Sequence, residues 1–352
     1  MPRPNRTREI EAALLRQVDS HAGDLVSAVA RELGISRAAV VPRVRNLLEH
    51  DYLRKEGTTR PRYALGAHRR GEFEYAIAGL AEDRVWRNDV APLLAGLPKN
   101  VEDICVHGVT EMLNNAIDHS EGRRVRVFVD RDGGRVALAI IDDGIGIFRK
   151  ITRALDLPDE RLALLELAKG KLTTDPRRHT GEGVFFTSRM FDGFRIVSGS
   201  LVFDHEDEAL DDVLYELDAR APDVGTSVFM EISLATTRTA AEIFARFSSG
   251  PDDYSFAKTV VPVRLARIGD ENLVSRSQAK RLMQRVDRFS KVVLDFEDVR
   301  SIGQAFADEV FRVFANAHPA IELTTMHAVP EVQQMIRRAE SARDEGRQLS
   351  LL

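Results

Sequence analysis

The run Val136-Ala137-Leu138-Ala139-Ile140-Ile141 is apolar at every residue and stops abruptly at Asp142-Asp143-Gly144-Ile145-Gly146. Such a stretch, rich in β-branched side chains, reads as a buried strand with an acid at its end, and the glycines let the backbone pass close to a ligand. Upstream, Glu111, Asn115 and His119 recur every four residues, so an α-helix carries all three along one face. A carboxylate and an amide on one helix face can position a water and a cation. Taken singly, Glu111 reads as a solvated helix charge, Asp142 as a turn residue, and His119 equally as a site residue or a packed one. Their order and spacing together point to a nucleotide site.

These residues resemble the GHKL family, which includes gyrases, heat-shock chaperones, mismatch-repair proteins, sensor histidine kinases and anti-sigma kinases. The resemblance implies that Glu111 polarises the attacking group and Asn115 binds Mg2+. Asp142, Gly144 and Gly146 match the family's Asp-x-Gly-x-Gly box, in which the acid accepts a hydrogen bond from the adenine amino group. Gly181-Glu182-Gly183 resembles its second glycine box, and Gly225-Thr226 before Ser227 to Ile232 resembles its closing Gly-Thr. The expected ATP contacts are therefore Asn115, Asp142, Gly144, Gly146, Thr180, Gly181, Gly183 and Thr226. Asn114 is a neighbour only. A Walker A signature is absent: Gly170-Lys171 lacks the first glycine and is followed by Leu172.

Between the glycine boxes, roughly residues 148–180, the family places a lid over the phosphates. Here Lys169, Lys171, Arg177, Arg178 and His179 make that segment basic, which suits either triphosphate neutralisation or a solvated charged loop. Sensor histidine kinases carry asparagine where this chain has Glu111, so the resemblance favours hydrolysis or transfer to a hydroxyl over transfer to histidine. Glu111 as base with Mg2+ held by Asn115 would supply the minimum for phosphoryl transfer.

Residues 1–70 have the organisation of a winged helix-turn-helix. Leu25, Val26, Val29, Ala30 and Leu33 form one apolar helical face, Gly34-Ile35-Ser36 supplies the turn, and Ser36 can cap the next helix. That second helix would bury Val40, Val44, Leu47 and Leu48 and present Arg37, Arg43 and Arg45. The segment Lys55 to Tyr63, with Arg60 and Arg62, reads as the wing. Pro42 lies inside the helix and predicts a kink or a delayed start, at about 3 kcal/mol in a helix interior. The first 70 residues hold 14 Lys plus Arg against 8 Asp plus Glu, a net of +6, while the remaining 282 carry −11 toward the chain's −5. A basic end of this kind attracts double-stranded DNA by counterion release.

After Ser248-Ser249-Gly250-Pro251-Asp252-Asp253, a polar break that reads as a linker, strand and helix patterns alternate. Residues 256–266 suggest a strand or hairpin, 275–289 a helix, 291–296 a buried strand, 304–317 a helix, 321–325 a strand and 332–339 a last helix. The segment Val292 to Phe296 followed by Val299, Ser301 and Ile302 resembles the central turn of STAS domains. Anti-sigma antagonists carry a phosphorylatable serine in an Asp-Ser-Ser-Gly run, where this chain has Gly303-Gln304-Ala305-Phe306. Ser301 lies nearby but reads as structural. Phe306, Phe311 and Phe314 read as core.

The expected fold class is thus multidomain α+β: a winged helix-turn-helix over 1–70, a GHKL α/β sandwich over 71–250 and a STAS-like α/β domain over 251–340, with 341–352 a flexible tail. The 352 residues, 43% apolar, suffice for more than one core. A single cysteine, Cys105, cannot form an internal disulfide, and no leader-like or membrane-length apolar run is evident; both point to a cytoplasmic chain with no membrane partner. The preferred function is an ATP-binding, Mg2+-ATP-hydrolysing DNA-binding regulator whose nucleotide state controls winged-helix DNA binding or partner contacts, with protein contacts through the STAS-like part and a homodimer as an option. The alternatives are an anti-sigma-type serine/threonine kinase and a clamp or chaperone-like ATPase in stress or defence.

Overall fold

A computed structural model describes residues 6–172, 181–206, 212–216, 225–250, 253–267 and 272–349. It is a mixed α/β, multidomain chain. At the N-terminus, α1 (Arg6–Gln17), α2 (Leu25–Glu32) and α3 (Arg37–Glu49) precede an antiparallel hairpin of β1 (Leu53–Glu56) and β2 (Arg62–Leu65). Ser36 caps α3 by accepting a hydrogen bond from the Ala39 amide at 3.3 Å. Leu14, Leu25, Val29, Val40, Val44, Leu47 and Leu53 form a core of their own. Contrary to expectation, α3 runs unbroken through Pro42. Pro42 and Val41 lie on its exposed side, and the buried contacts of Val40 and Val44 on either side of the proline hold the helix together.

The chain then enters β3 (Arg69–Ala76), followed by short helices α4 (Glu82–Val85) and α5 (Ala91–Leu94) joined by a π-turn at Trp86–Val90, and by the long α6 (Lys99–His119). Strands β4 (Arg124–Arg131) and β5 (Arg135–Asp142) lead to α7 (Ile147–Leu155) and α8 (Arg161–Lys169). Next come α9 (Gly183–Met190), β6 (Gly193–Ser198), β7 (Leu201–Glu206), β8 (Asp212–Glu216), β9 (Ser227–Ser233) and α10 (Ala240–Phe247). The strands form one seven-stranded sheet in the order β3-β4-β5-β9-β6-β7-β8, every neighbour antiparallel. Alternation sets its faces. Val125, Val127 and Val129 of β4, Val136, Leu138 and Ile140 of β5, and Val228, Met230 and Ile232 of β9 are buried beneath the helices. Phe229 on the opposite face is 41% exposed. Gly108 lets α6 approach α9 and β9, because a Cβ there would lie 2.5 Å from the Phe191 ring.

The segment expected to be a linker is instead an antiparallel hairpin of β10 (Ser248–Gly250) and β11 (Asp253–Phe256). Its anchor is Phe256, which packs into a cluster with Phe185, Phe186, Phe247 and Phe289 at centroid distances of 4.4, 5.0, 6.4 and 5.1 Å. Beyond it, β12 (Lys258–Pro262), β13 (Lys291–Asp295) and β14 (Glu322–Met326) form a parallel three-stranded sheet. Helix α11 (Arg276–Met283) is shorter than the sequence pattern suggests, because Gln284 turns extended (ψ 131°) and ends it, and the left-handed Arg285 (φ 62°) then starts a separate 3-10 turn over Val286–Arg288. Residues 304–317 are helical as expected but contain a π-turn, Glu309–Phe314, between α12 (Gln304–Asp308) and α13 (Ala315–Ala317). Phe306 and Phe311 are core residues. The last helix, α14 (Pro330–Leu349), continues past Ala339, where a flexible tail was expected. Up to Ala339 it buries Val332, Ile336 and Ala339, and beyond that its Glu, Ala, Arg and Gln residues are good helix formers.

Candidate nucleotide site

Helix α6 crosses the inner face of the sheet beside β5 and β9, and its Glu111, Asn115 and His119 face one cavity of about 310 Å³. Asp142, Gly146, Gly181, Gly183 and Thr226 line the same cavity, so four separate sequence segments meet there. The walls are apolar where Met112, Ile140, Ile151, Leu167 and Val228 contribute, which suits a flat aromatic ligand with a few fixed polar contacts. Thr180, with Arg177, Arg178 and His179, lies outside the described residues.

Asp142 is the last residue of β5 and is 8% exposed. Its Oδ1 accepts hydrogen bonds from the amides of Gly144 at 2.8 Å and Thr226 at 3.2 Å, and its own amide donates to the Thr226 carbonyl at 3.0 Å. Burial nevertheless dominates and pushes the carboxyl up to about 6, against the pull of those two amides. Thr226 Oγ1 accepts from the Ile147 amide at 3.0 Å, joining β9 to the start of α7. The turn before Thr226 requires glycine. Gly225 has φ of 85°, and a Cβ there would sit 1.9 Å from the Asp142 carbonyl oxygen.

Across the cavity, a Cβ on Gly183 would lie 2.0 Å from Glu111 Oε2, so the glycine is what leaves room for the carboxylate. Helix α9 begins at this glycine, and its first amides have no partners within the helix. Gly144 does not line the cavity but sits behind it, its amide on Asp142 and its Cα against the Ser120 carbonyl. Lys150 lines the site and was not singled out from sequence. It lies four residues beyond Gly146 on the first turn of α7 and pairs with Glu121. That offset from the box was the signal available.

Residues 76–201 match the model of the histidine kinase-like ATPase domain. Residues 278–333 match a STAS-like domain of unknown function. Among solved structures, the chain has 14% identity to an IcIR transcriptional regulator from Alicyclobacillus acidocaldarius, over 68% of this chain and 95% of that one, with a TM-score of 0.19. No curated protein matches.

The ATPase-like domain's basic segment behaves unlike either expectation at its described end. Lys169 is 1% exposed and its Nζ donates to Glu166 Oε1 at 2.9 Å and to the carbonyls of Arg281 and Gln284 at 3.1 and 2.9 Å. Arg285 Nη1 lies 3.1 Å from Glu166 Oε2. Lys171 Nζ donates to the Arg288 carbonyl at 2.9 Å while Arg288 Nη1 returns a bond to the Lys171 carbonyl at 3.0 Å. Both lysines therefore face the STAS-like domain, neither phosphates nor open solvent. Leu172, next along, donates its amide to the Gly181 carbonyl at 3.0 Å and lines the cavity.

Of the arginines expected on DNA, Arg37 and Arg45 are exposed on α3, Arg60 and Arg62 are exposed on the β1–β2 hairpin, and Arg43 is half-buried. Ser301 is exposed and Ala305 stands at the first turn of α12. Cys105 is fully buried, and burial raises its thiol to about 12, which makes it an inert core residue. Among the described residues no helix is long and apolar enough to cross a membrane.

Proposed function

We propose that this chain is an ATP-responsive DNA-binding regulator. The observation that carries the reading is the convergence of Glu111, Asn115, Asp142 and Thr226 on one cavity in a domain that matches a histidine kinase-like ATPase. Asp142 is a buried acceptor with one oxygen already held by two amides, which suits recognition of an exocyclic amino group such as that of adenine. Asn115 would hold Mg2+, whose charge neutralises phosphate oxygens, and Glu111 is placed to orient an attacking water. Gly181, Gly183, Thr180 and the free amides at the start of α9 would meet the phosphates.

In this reading residues 1–70 are a winged helix-turn-helix, 71–250 the ATP-binding domain and 251–340 the STAS-like domain. Helices α2 and α3 are joined by the Gly34-Ile35-Ser36 turn, and the β1–β2 hairpin that follows would serve as the wing. Arg37, Arg45, Arg60 and Arg62 offer exposed cations for phosphates or guanine edges. Arg43 supports the helix as much as it offers charge. The absence of a serine at Ala305 weighs against self-contained serine phosphorylation.

Binding of the whole chain to duplex DNA, titrated against salt with and without Mg2+ and ATP, tests the proposal. We expect a steep inverse salt dependence, a shift in affinity on adding nucleotide, and at least tenfold weaker binding when Arg37 and Arg45 are both changed to alanine. Unchanged DNA affinity in that double variant would sink the DNA reading.

A further inference from the structure

We infer that Asp295, Glu297 and His327 form a divalent transition-metal site at the C-terminal edge of the parallel sheet, independent of the nucleotide cavity. Asp295 is the last residue of β13, and it pairs in register with Met326, the last residue of β14. His327 follows directly. The Phe296 amide donates to the Met326 carbonyl at 3.0 Å, so the two strand ends are locked together and deliver both side chains to one point. Glu297 comes from the turn after β13, whose amide is fixed on Asp295 Oδ1 at 3.1 Å.

The spacing of the donors is that of ligands around one ion. His327 Nδ1 lies 2.9 Å from Asp295 Oδ1 and 3.5 Å from Glu297 Oε2, and one donor atom from each residue falls within 4.8 Å of the others. Metal bonds of about 2.0–2.1 Å place neighbouring ligand atoms roughly 3.0–3.4 Å apart in octahedral or tetrahedral geometry. The two His327 distances, 2.9 and 3.5 Å, are close to that spacing. Among the described residues this is the one such grouping of three.

Electrostatics favours occupancy. Asp295 is 3% exposed, and a carboxylate buried to that degree needs a compensating charge. A dication would neutralise Asp295 and Glu297 together, with the imidazole of His327, 40% exposed at its side chain, as the third ligand. One nitrogen and two oxygens suit Zn2+, Co2+ or Mn2+ better than Mg2+, and three protein ligands leave coordination positions for water or an anion. The three residues lie within the span matched by the STAS-like model, which assigns them no role.

The test uses the whole, nucleotide-free chain, so it is independent of the ATP reading. Co2+ is titrated while its visible absorption is followed, and Zn2+ binding is measured by calorimetry. One equivalent of either ion should bind per chain. His327→Ala and Glu297→Gln, both at partly exposed positions and checked for folding by circular dichroism, should each weaken binding at least tenfold. No stoichiometric binding by the parent chain overturns the site, as does affinity unchanged in both variants.

Discussion

Asp142 carries the most exacting chemistry in the molecule. In the empty protein, burial holds its carboxyl up to about 6, so at neutral pH the ionised form is present but poorly compensated. A ligand that donates a hydrogen bond to the ionised form recovers that cost, and the protonated form cannot accept it in the same way. The sign follows: nucleotide affinity should be full above about pH 6 and fall as pH drops through that value, by up to tenfold per pH unit below it. For the fold without ligand the sign is reversed: the raised carboxyl pKa makes stability fall as pH rises from 3.8 to about 6, the loss being complete above that. Fluorescent nucleotide titrations from pH 5 to 8 measure the effect. A flat profile, or one that Asp142→Asn leaves unaltered, would remove Asp142 from the adenine position. At this scale the sequence was highly informative, because glycine requirements and acid positions are local: Glu111, Asn115, Asp142, Gly146 and Thr226 all line one cavity. Lys150 is legible only through its offset of four residues from Gly146, because a lysine on a helix has no signature of its own.

At the scale of elements, the decisive feature is the C-terminal end of α8. Glu166, 4% exposed, and Lys169, 1% exposed, are buried together against Arg285 and the carbonyls that end α11. Removing one partner of such a group leaves an unpaired buried charge and typically costs about 3–5 kcal/mol. We therefore expect Lys169→Met to destabilise the chain by about that much in denaturant unfolding, and Glu166→Gln combined with Lys169→Met to cost less than the single change. A loss below about 1 kcal/mol for Lys169→Met would show that the cluster does not hold the elements together. Sequence patterns could not reveal this arrangement. Lys169 and Lys171 sit in a basic stretch where phosphate binding or solvation is the ordinary reading, and their carbonyl partners at Arg281, Gln284 and Arg288 lie more than a hundred positions away. The same limit explains the hairpin at β10 and β11. Its polar sequence reads as a linker, and only the aromatic pocket that receives Phe256 makes it structure.

For the whole molecule, the division of the buried residues matters more than the count of sheets. Ile10 to Leu53 pack in one cluster, whereas a second cluster runs without interruption from Ile77 through Phe185 and Phe256 to Ala339. Cores that do not share side chains can unfold separately. Calorimetry should accordingly resolve two transitions, a smaller one that disappears on deleting the N-terminal segment and a larger one to which nucleotide adds stability. One transition for the full chain, shifted as a unit by nucleotide, would mean that His68, which stacks on Tyr52 and bonds Asp130 of β4, couples the two cores fully. The order of the three regions was legible from charge and periodicity, since each has its own pattern. That two of them share one interior was not, because apolar periodicity marks which face is buried without naming what covers it.

The continuous interior carries a consequence for how such a chain could be recombined. A segment with a closed core can be cut out and joined to another protein with its folding intact, and the first 65 residues or so have that character. The C-terminal segment does not: Phe256 packs on Phe185, Phe289 lies under Lys171 and Arg285 pairs with Glu166, all on the ATPase-like domain. Transplanted alone, it would expose an aromatic face and strand a guanidinium beside no acid. The two must travel as a pair, and a natural reshuffling of this architecture would keep them adjacent while exchanging whatever stands in front.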